Sequence, residues 1–125
     1  MNLLLDTHVF LWWLENPALL QKSAQKAISD ANNTVYISAG AVWEIAIKRR
    51  LGKLSCPDNL SEVINLTRFN SLAISVEHAL LTESLPKHHA DPFDRMFVAQ
   101  AISEGLTIAT RDQNIMKYPV SCILA

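Results

Sequence analysis

Leu3, Leu4 and Leu5 follow one another without a polar interruption and run directly into Asp6-Thr7. A short strand that is apolar at every position must be covered on both faces. That is the situation of a strand inside a parallel α/β sheet, whereas a half-solvated antiparallel strand alternates. In sheets of this kind ligands bind outside the carboxyl ends of the strands. Asp6 therefore stands where chemistry is expected, and the first question is which other acids reach the same edge.

The rest of the chain predicts strands alternating with helices. Residues 8–14 start a tightly packed helix, broken by Glu15-Asn16-Pro17. Residues 19–29 form an amphipathic helix with Leu19, Leu20, Ala24, Ala27 and Ile28 on one side. Residues 34–38, β-branched and aromatic, are the clearest second strand. A helix follows over 40–51, with Gly52 as its stop. Further helices are expected over 59–69, 76–84 and 91–104, the last closed by Gly105. A third, weaker strand is expected over 71–75, a further strand over 106–110 and a last edge strand over 120–124, with a short helix or turn over 111–116. The alternation implies one α/β domain over 1–125. Its mostly parallel, four- to five-stranded sheet is sandwiched by helices through right-handed crossovers.

Bulk properties narrow the function classes. Half the residues are apolar and 18% are charged, which excludes disorder. The formal net charge of −1 excludes a surface wholly given to nucleic acid but permits a local basic patch. Cys56 and Cys122 lie far apart and make neither a disulfide framework nor a CxxC zinc site; they read as reduced thiols. The apolar N-terminus is interrupted by Asp6 and His8 and lacks a basic leader. It falls short of the roughly 20 residues a membrane span needs, so a cytoplasmic protein is expected.

Four acids are expected at one edge. Asp6 and Asp112 each follow a strand, and Glu44 lies in the first two turns of the helix after the second strand. Asp94, in the first turn of the 91–104 helix, joins them if the chain has returned to that edge by His88. Each acid also has an ordinary alternative. Asp6 can cap a helix, Asp112 can be a turn residue, and Glu44 can pair with Lys48 at i,i+4. Asp94 can share a cap with Asp91, ahead of Pro92. For Glu44 the alternative is weakened by Val42, Trp43, Ile45, Ala46 and Ile47, which leave little solvated helix surface. Gathering these carboxylates would cost on the order of several kcal/mol unless something compensates. Hard oxygen donors, with neither Cys nor ligand-spaced His, favour Mg2+ or Mn2+ over zinc. Two such ions about 3.5–4 Å apart can activate a water against a phosphodiester. His88 and His89 match no zinc pattern. They read first as loop polar groups and second as phosphate or substrate contacts.

Four blocks carry a resemblance: Leu4-Leu5-Asp6-Thr7-His8, Val42-Trp43-Glu44-Ile45-Ala46-Ile47-Lys48, His89-Ala90-Asp91-Pro92-Phe93-Asp94-Arg95 and Thr110-Arg111-Asp112. In order, they resemble the signatures of PIN-domain ribonucleases, most closely the VapC-type toxins of toxin–antitoxin pairs. The resemblance implies a metal-dependent endoribonuclease acting on RNA, often transfer RNA. It also implies a homodimer, and a cognate antitoxin that lays a peptide over the active site. Asp6, Glu44, Asp94 and Asp112 correspond to the catalytic acidic quartet holding Mg2+ or Mn2+, and Asp91 is an extra acid that contacts the metal directly or indirectly. Relatives often carry Ser or Thr where Ala41 stands, so here Gly40 or Ser38 has to serve at that helix start.

Lys48, Arg49, Arg50 and Lys53 are either an RNA-backbone stripe or a helix end that suits the dipole. Arg95 and Arg111 adjoin proposed ligands and, with Lys48, are candidates to contact phosphate. Of the adjacent Trp12 and Trp13, one is expected in the core and the other on an interface. The competing readings are a catalytically inert PIN-like RNA- or protein-binding module and a PIN nuclease of RNA processing without a toxin role. A haloacid-dehalogenase phosphatase would need an Asp where His8 stands. A receiver domain would need an acceptor Asp after a middle strand, where none occurs.

Overall fold

In the computed structural model, which describes residues 1–125, Leu3, Leu4 and Leu5 are each 0% exposed. Successive strand residues point to opposite faces, so both faces of β1 (Asn2–Leu5) are covered. The strand lies at the centre of a five-stranded, all-parallel sheet. Its companions are β2 (Thr34–Ser38), β3 (Asn70–Leu72), β4 (Thr107–Thr110) and β5 (Cys122–Leu124). The helices are α1 (Thr7–Glu15), α2 (Lys22–Ser29), α3 (Ala39–Arg50), α4 (Leu60–Leu66), α5 (Val76–Ser84), α6 (Pro92–Glu104) and α7 (Gln113–Met116). None is long and apolar enough to cross a membrane.

The strand order is β3-β2-β1-β4-β5. The chain steps outward from β1 to β3, then returns to place β4 on the other side of β1. The crevice beyond the carboxyl ends of β1 and β4 is the point where the winding reverses, the usual ligand position in such sheets. The core that fixes this crevice includes Phe10, Ile37, Ile45, Phe97 and Ile108, all essentially buried.

Local chemistry sets the element ends. Ser38 supplies the start of α3, accepting the N–H of Gly40 at 3.0 Å, and so takes the part that Ala41 cannot. The helix expected over 59–69 is shorter. The Thr67 hydroxyl donates to the Ile64 carbonyl and accepts the Phe69 N–H, and Arg68 turns the chain at φ 65°. The strand expected over 71–75 stops at Leu72, because Ser75 is recruited to cap α5. It exchanges hydrogen bonds with His78 there, each 3.0 Å. Pro17–Leu19 forms a separate 3-10 turn, so α2 begins only at Lys22.

Gly105 ends α6 at φ 68°, with the Leu106 N–H bonded to the Ala101 carbonyl at 2.9 Å. An added Cβ would meet nothing within 4 Å. Gly105→Ala should therefore incur only the left-handed backbone strain of an L side chain, about 1 kcal/mol in a urea titration, with an unchanged m-value.

Candidate active site

Two of the acids come directly from strand ends. Asp6 leaves β1 as the N-cap of α1. Its Oδ1 accepts the Val9 N–H at 2.8 Å and its Oδ2 accepts the Thr110 hydroxyl at 2.5 Å. Asp112 leaves β4 as the N-cap of α7. Its own N–H donates to Thr110 Oγ1 at 3.0 Å, and its Oδ1 accepts the Asn114 N–H at 2.7 Å. Thr110 thus ties the ends of neighbouring strands together through a side chain that is 0% exposed.

The other two come from helices. Glu44, 3% exposed on α3, has both oxygens engaged: Oε1 by the Thr7 hydroxyl and Oε2 by Lys48 Nζ, each at 2.5 Å. Asp91 caps α6, its Oδ1 accepting the N–H groups of Phe93 and Asp94 at 2.8 and 3.0 Å. Asp94 follows in the first turn, with its Oδ2 2.9 Å from His89 Nε2. The ordinary role and the site position coincide here: Asp6, Asp91 and Asp112 cap helices while facing one cleft, and Glu44 forms its i,i+4 pair inside it. The cleft has a volume of about 390 Å³, and all five acids line it. A larger cavity of about 540 Å³ between α3 and α4 has only Arg49 and Asp58 as charged lining groups.

The cleft is electrostatically unbalanced. Burial, then the charges of Asp91 and Asp6, pushes the Asp94 carboxyl up to about 7; His89 opposes the shift, and Asp112 adds the smallest push. Burial also raises the Asp6 carboxyl above the usual carboxylate range, opposed by its hydrogen bonds from Thr110 and Val9. The Lys48 ammonium is held above its ordinary value chiefly by its hydrogen bond to Glu44. Lys48 is thereby committed to one acid. Arg111 also lines the cleft, but its guanidinium donates to the backbone oxygens of Leu19 and Ala125 and lies 4.4 Å over the Trp12 ring. One ring nitrogen of His89 and one carboxylate oxygen each of Asp94 and Asp112 lie within 4.8 Å of one another, and carboxylate oxygens so gathered suit a hard divalent cation.

Some expectations land elsewhere. Arg95 does not face the cleft; its guanidinium donates to the carbonyls of Thr82, Leu85 and Pro86 and to the Tyr118 hydroxyl. Trp12 is the tryptophan that lines the cleft, and Trp13 packs against Phe69 with ring centroids 6.3 Å apart. His89, read first as a loop group, sits among the acids; its position two residues before Asp91 was the available signal.

Residues 3–120 match the PIN domain family model. The chain belongs to the PIN domain family. Among curated relatives, this PIN domain is 28% identical over 124 residues to Ribonuclease VapC22 of Mycobacterium tuberculosis, covering 94% of this chain and 92% of that protein. It is 29% identical over 98 residues to Ribonuclease VapC16 of the same organism, covering 77% and 67% respectively. Its fold is shared by VapBC2 from Rickettsia felis, solved bound to a DNA fragment from the promoter, with TM-score 0.74, 18% identity and 98% of each chain covered. FitAcB from Neisseria gonorrhoeae gives TM-score 0.65 at 23% identity, covering 98% of this chain and 96% of that one.

Proposed function

We propose that this PIN domain is a metal-dependent endoribonuclease, the toxin of a toxin–antitoxin pair. The observation that carries the reading is the convergence of Asp6, Glu44, Asp94 and Asp112 at the switch point of a parallel sheet, with Asp91 beside them and no uncommitted cation among them. Such a cleft is costly to fold unless a cation offsets the repulsion. Two relatives named as VapC ribonucleases support the chemistry, and the solved VapBC complexes that share the fold support an antitoxin partner.

The residues fit Mg2+ or Mn2+. Asp94 and Asp112 would hold the ion, with Asp6 and Glu44 lining the same cleft. When bound, the ion supplies Lewis-acid activation of the scissile phosphate and of a water. The chain's own groups do the rest. Thr7 and Lys48 hold the Glu44 carboxylate, and Thr110 holds the Asp6 carboxylate and the Asp112 backbone N–H. Asp91 fixes the start of α6 and so the direction of Asp94. Lys48 and Arg111 are the cations nearest an incoming phosphate. On this reading the substrate is structured RNA such as tRNA. The protein works in the cytoplasm as a homodimer, and the antitoxin covers the cleft.

The test is cleavage of total RNA by the purified protein with Mg2+, with Mn2+ and with EDTA. Discrete fragments that need the metal are the expected result; equal cleavage in EDTA would refute it. Binding of the ion should also raise the melting temperature. At a hundredfold excess over Kd the folded state gains about 2.7 kcal/mol, which calorimetry with and without MnCl2 reads directly.

A further inference from the structure

His89 belongs to no acidic quartet, yet its ring stands between two of the carboxylates. Nε2 lies 2.9 Å from Asp94 Oδ2 and 3.1 Å from Asp112 Oδ2. Its other ring nitrogen, Nδ1, accepts the Asp91 N–H at 3.3 Å. A nitrogen that accepts carries no proton, so in the neutral ring the proton is on Nε2, facing the acids. The backbone is fixed as well: the His89 N–H donates to the Tyr118 hydroxyl at 3.0 Å. The neighbouring His88 packs edge-on to Tyr118 and does not line the cleft.

We infer that His89 is a positioning residue, whose Nε2–H clamps Asp94 to Asp112 and presets the gap between two carboxylates that would hold the cation. The inference rests on the metal-site reading above. Asp94 projects from the first turn of α6, whereas Asp112 follows β4, and His89 is the one side chain that reaches both: Nε2 is hydrogen-bonded to Asp112 and lies at ion-pair distance from Asp94. The two acids are like charges whose oxygens sit within 3.1 Å of one shared nitrogen, so they repel each other. Without a donor between them they would separate. With it, one oxygen of each is held in place. Asp112 is held at its second oxygen too, by Asn114, while the Asp94 Oδ1 has no protein partner and is free to meet an ion. A His that ligates a metal normally donates its other ring N–H to an acceptor. Here the other nitrogen faces a donor instead, which marks His89 as a hydrogen-bond donor to the ligands and not as a ligand.

The experiment is Mn2+ binding to the full chain, by calorimetry and pulsed EPR, in wild type, His89→Ala and His89→Gln. Melting temperatures are recorded without metal. The Gln side-chain amide can place an N–H near the Nε2 position. His89→Ala should bind Mn2+ about 10–100-fold more weakly, and His89→Gln should return to within about threefold of wild type. The wild-type spectrum should lack imidazole nitrogen coupling. The clamp is overturned if His89→Ala binds Mn2+ as tightly as wild type, or if His89→Gln is as weak as His89→Ala. It is also overturned by a nitrogen coupling that disappears in His89→Ala, which would make His89 a ligand. Failure of wild type to bind Mn2+ at all would instead remove the metal reading, a separate and visible result.

Discussion

Asp94→Asn is expected to abolish RNA cleavage and, at pH 8 in EDTA, to raise the melting temperature. Both effects come from one carboxylate. As a would-be metal ligand, its loss should lower the rate by about 10³-fold or more, since the ion's contribution is worth several kcal/mol. The stability effect has the opposite sign. Burial and the charges of Asp91, Asp6 and Asp112 move the folded carboxyl from 3.8 to about 7. Between those values the folded chain keeps a proton that the unfolded chain has released. Stability therefore falls as pH rises through that window, and the loss is complete above about 7. Asn carries no charge and escapes the penalty. The expected gain at pH 8 is about 1–2 kcal/mol after allowing for partial exposure, or roughly 3–10 °C for a domain of this size. It should vanish near pH 4. Saturating Mn2+ should reverse the order of the two proteins. A variant that melts below wild type at pH 8 in EDTA would mean that the acids are compensated within the protein, which would undercut the case for a cation.

The site was legible wherever the signal lay along the chain. An all-apolar strand ending in Asp6 and a strand followed by Asp112 fix two acids at one edge by sheet geometry alone. Glu44 follows because a helix after a parallel strand starts at that strand's carboxyl end. What the sequence could not carry were contacts across long separations. Thr110 bridges Asp6 and Asp112 from a chain distance of 104 residues on one side. His89 turns into the cleft because Tyr118 and the Asp91 N–H hold it there. Boundaries failed where a side chain preferred capping to continuing an element, as at Thr67 and Ser75. Adjacency misled at Arg95: neighbours on a helix point about 100° apart, so a residue next to Asp94 need not face the same way.

That difference makes Arg95 the second informative substitution. Its guanidinium reaches the Thr82 carbonyl at 2.6 Å, Pro86 at 2.9 Å, Leu85 at 3.3 Å and the Tyr118 hydroxyl at 3.1 Å. These acceptors close the end of α5 and the loop leading to His89 against α6. A planar fork can satisfy them together, while a single ammonium cannot. Arg95→Ala should cost about 2–3 kcal/mol, since it strands several carbonyls of a charge-assisted network. That corresponds to a melting temperature lower by roughly 10 °C. Arg95→Lys should recover less than half of that loss. Well below the melting temperature, KM for RNA should stay within about threefold of wild type, because the removed group does not line the cleft. The opposite pattern, a tenfold or larger rise in KM with an unchanged melting temperature, would return Arg95 to the substrate. It would also mean that the guanidinium leaves its carbonyl partners when RNA arrives.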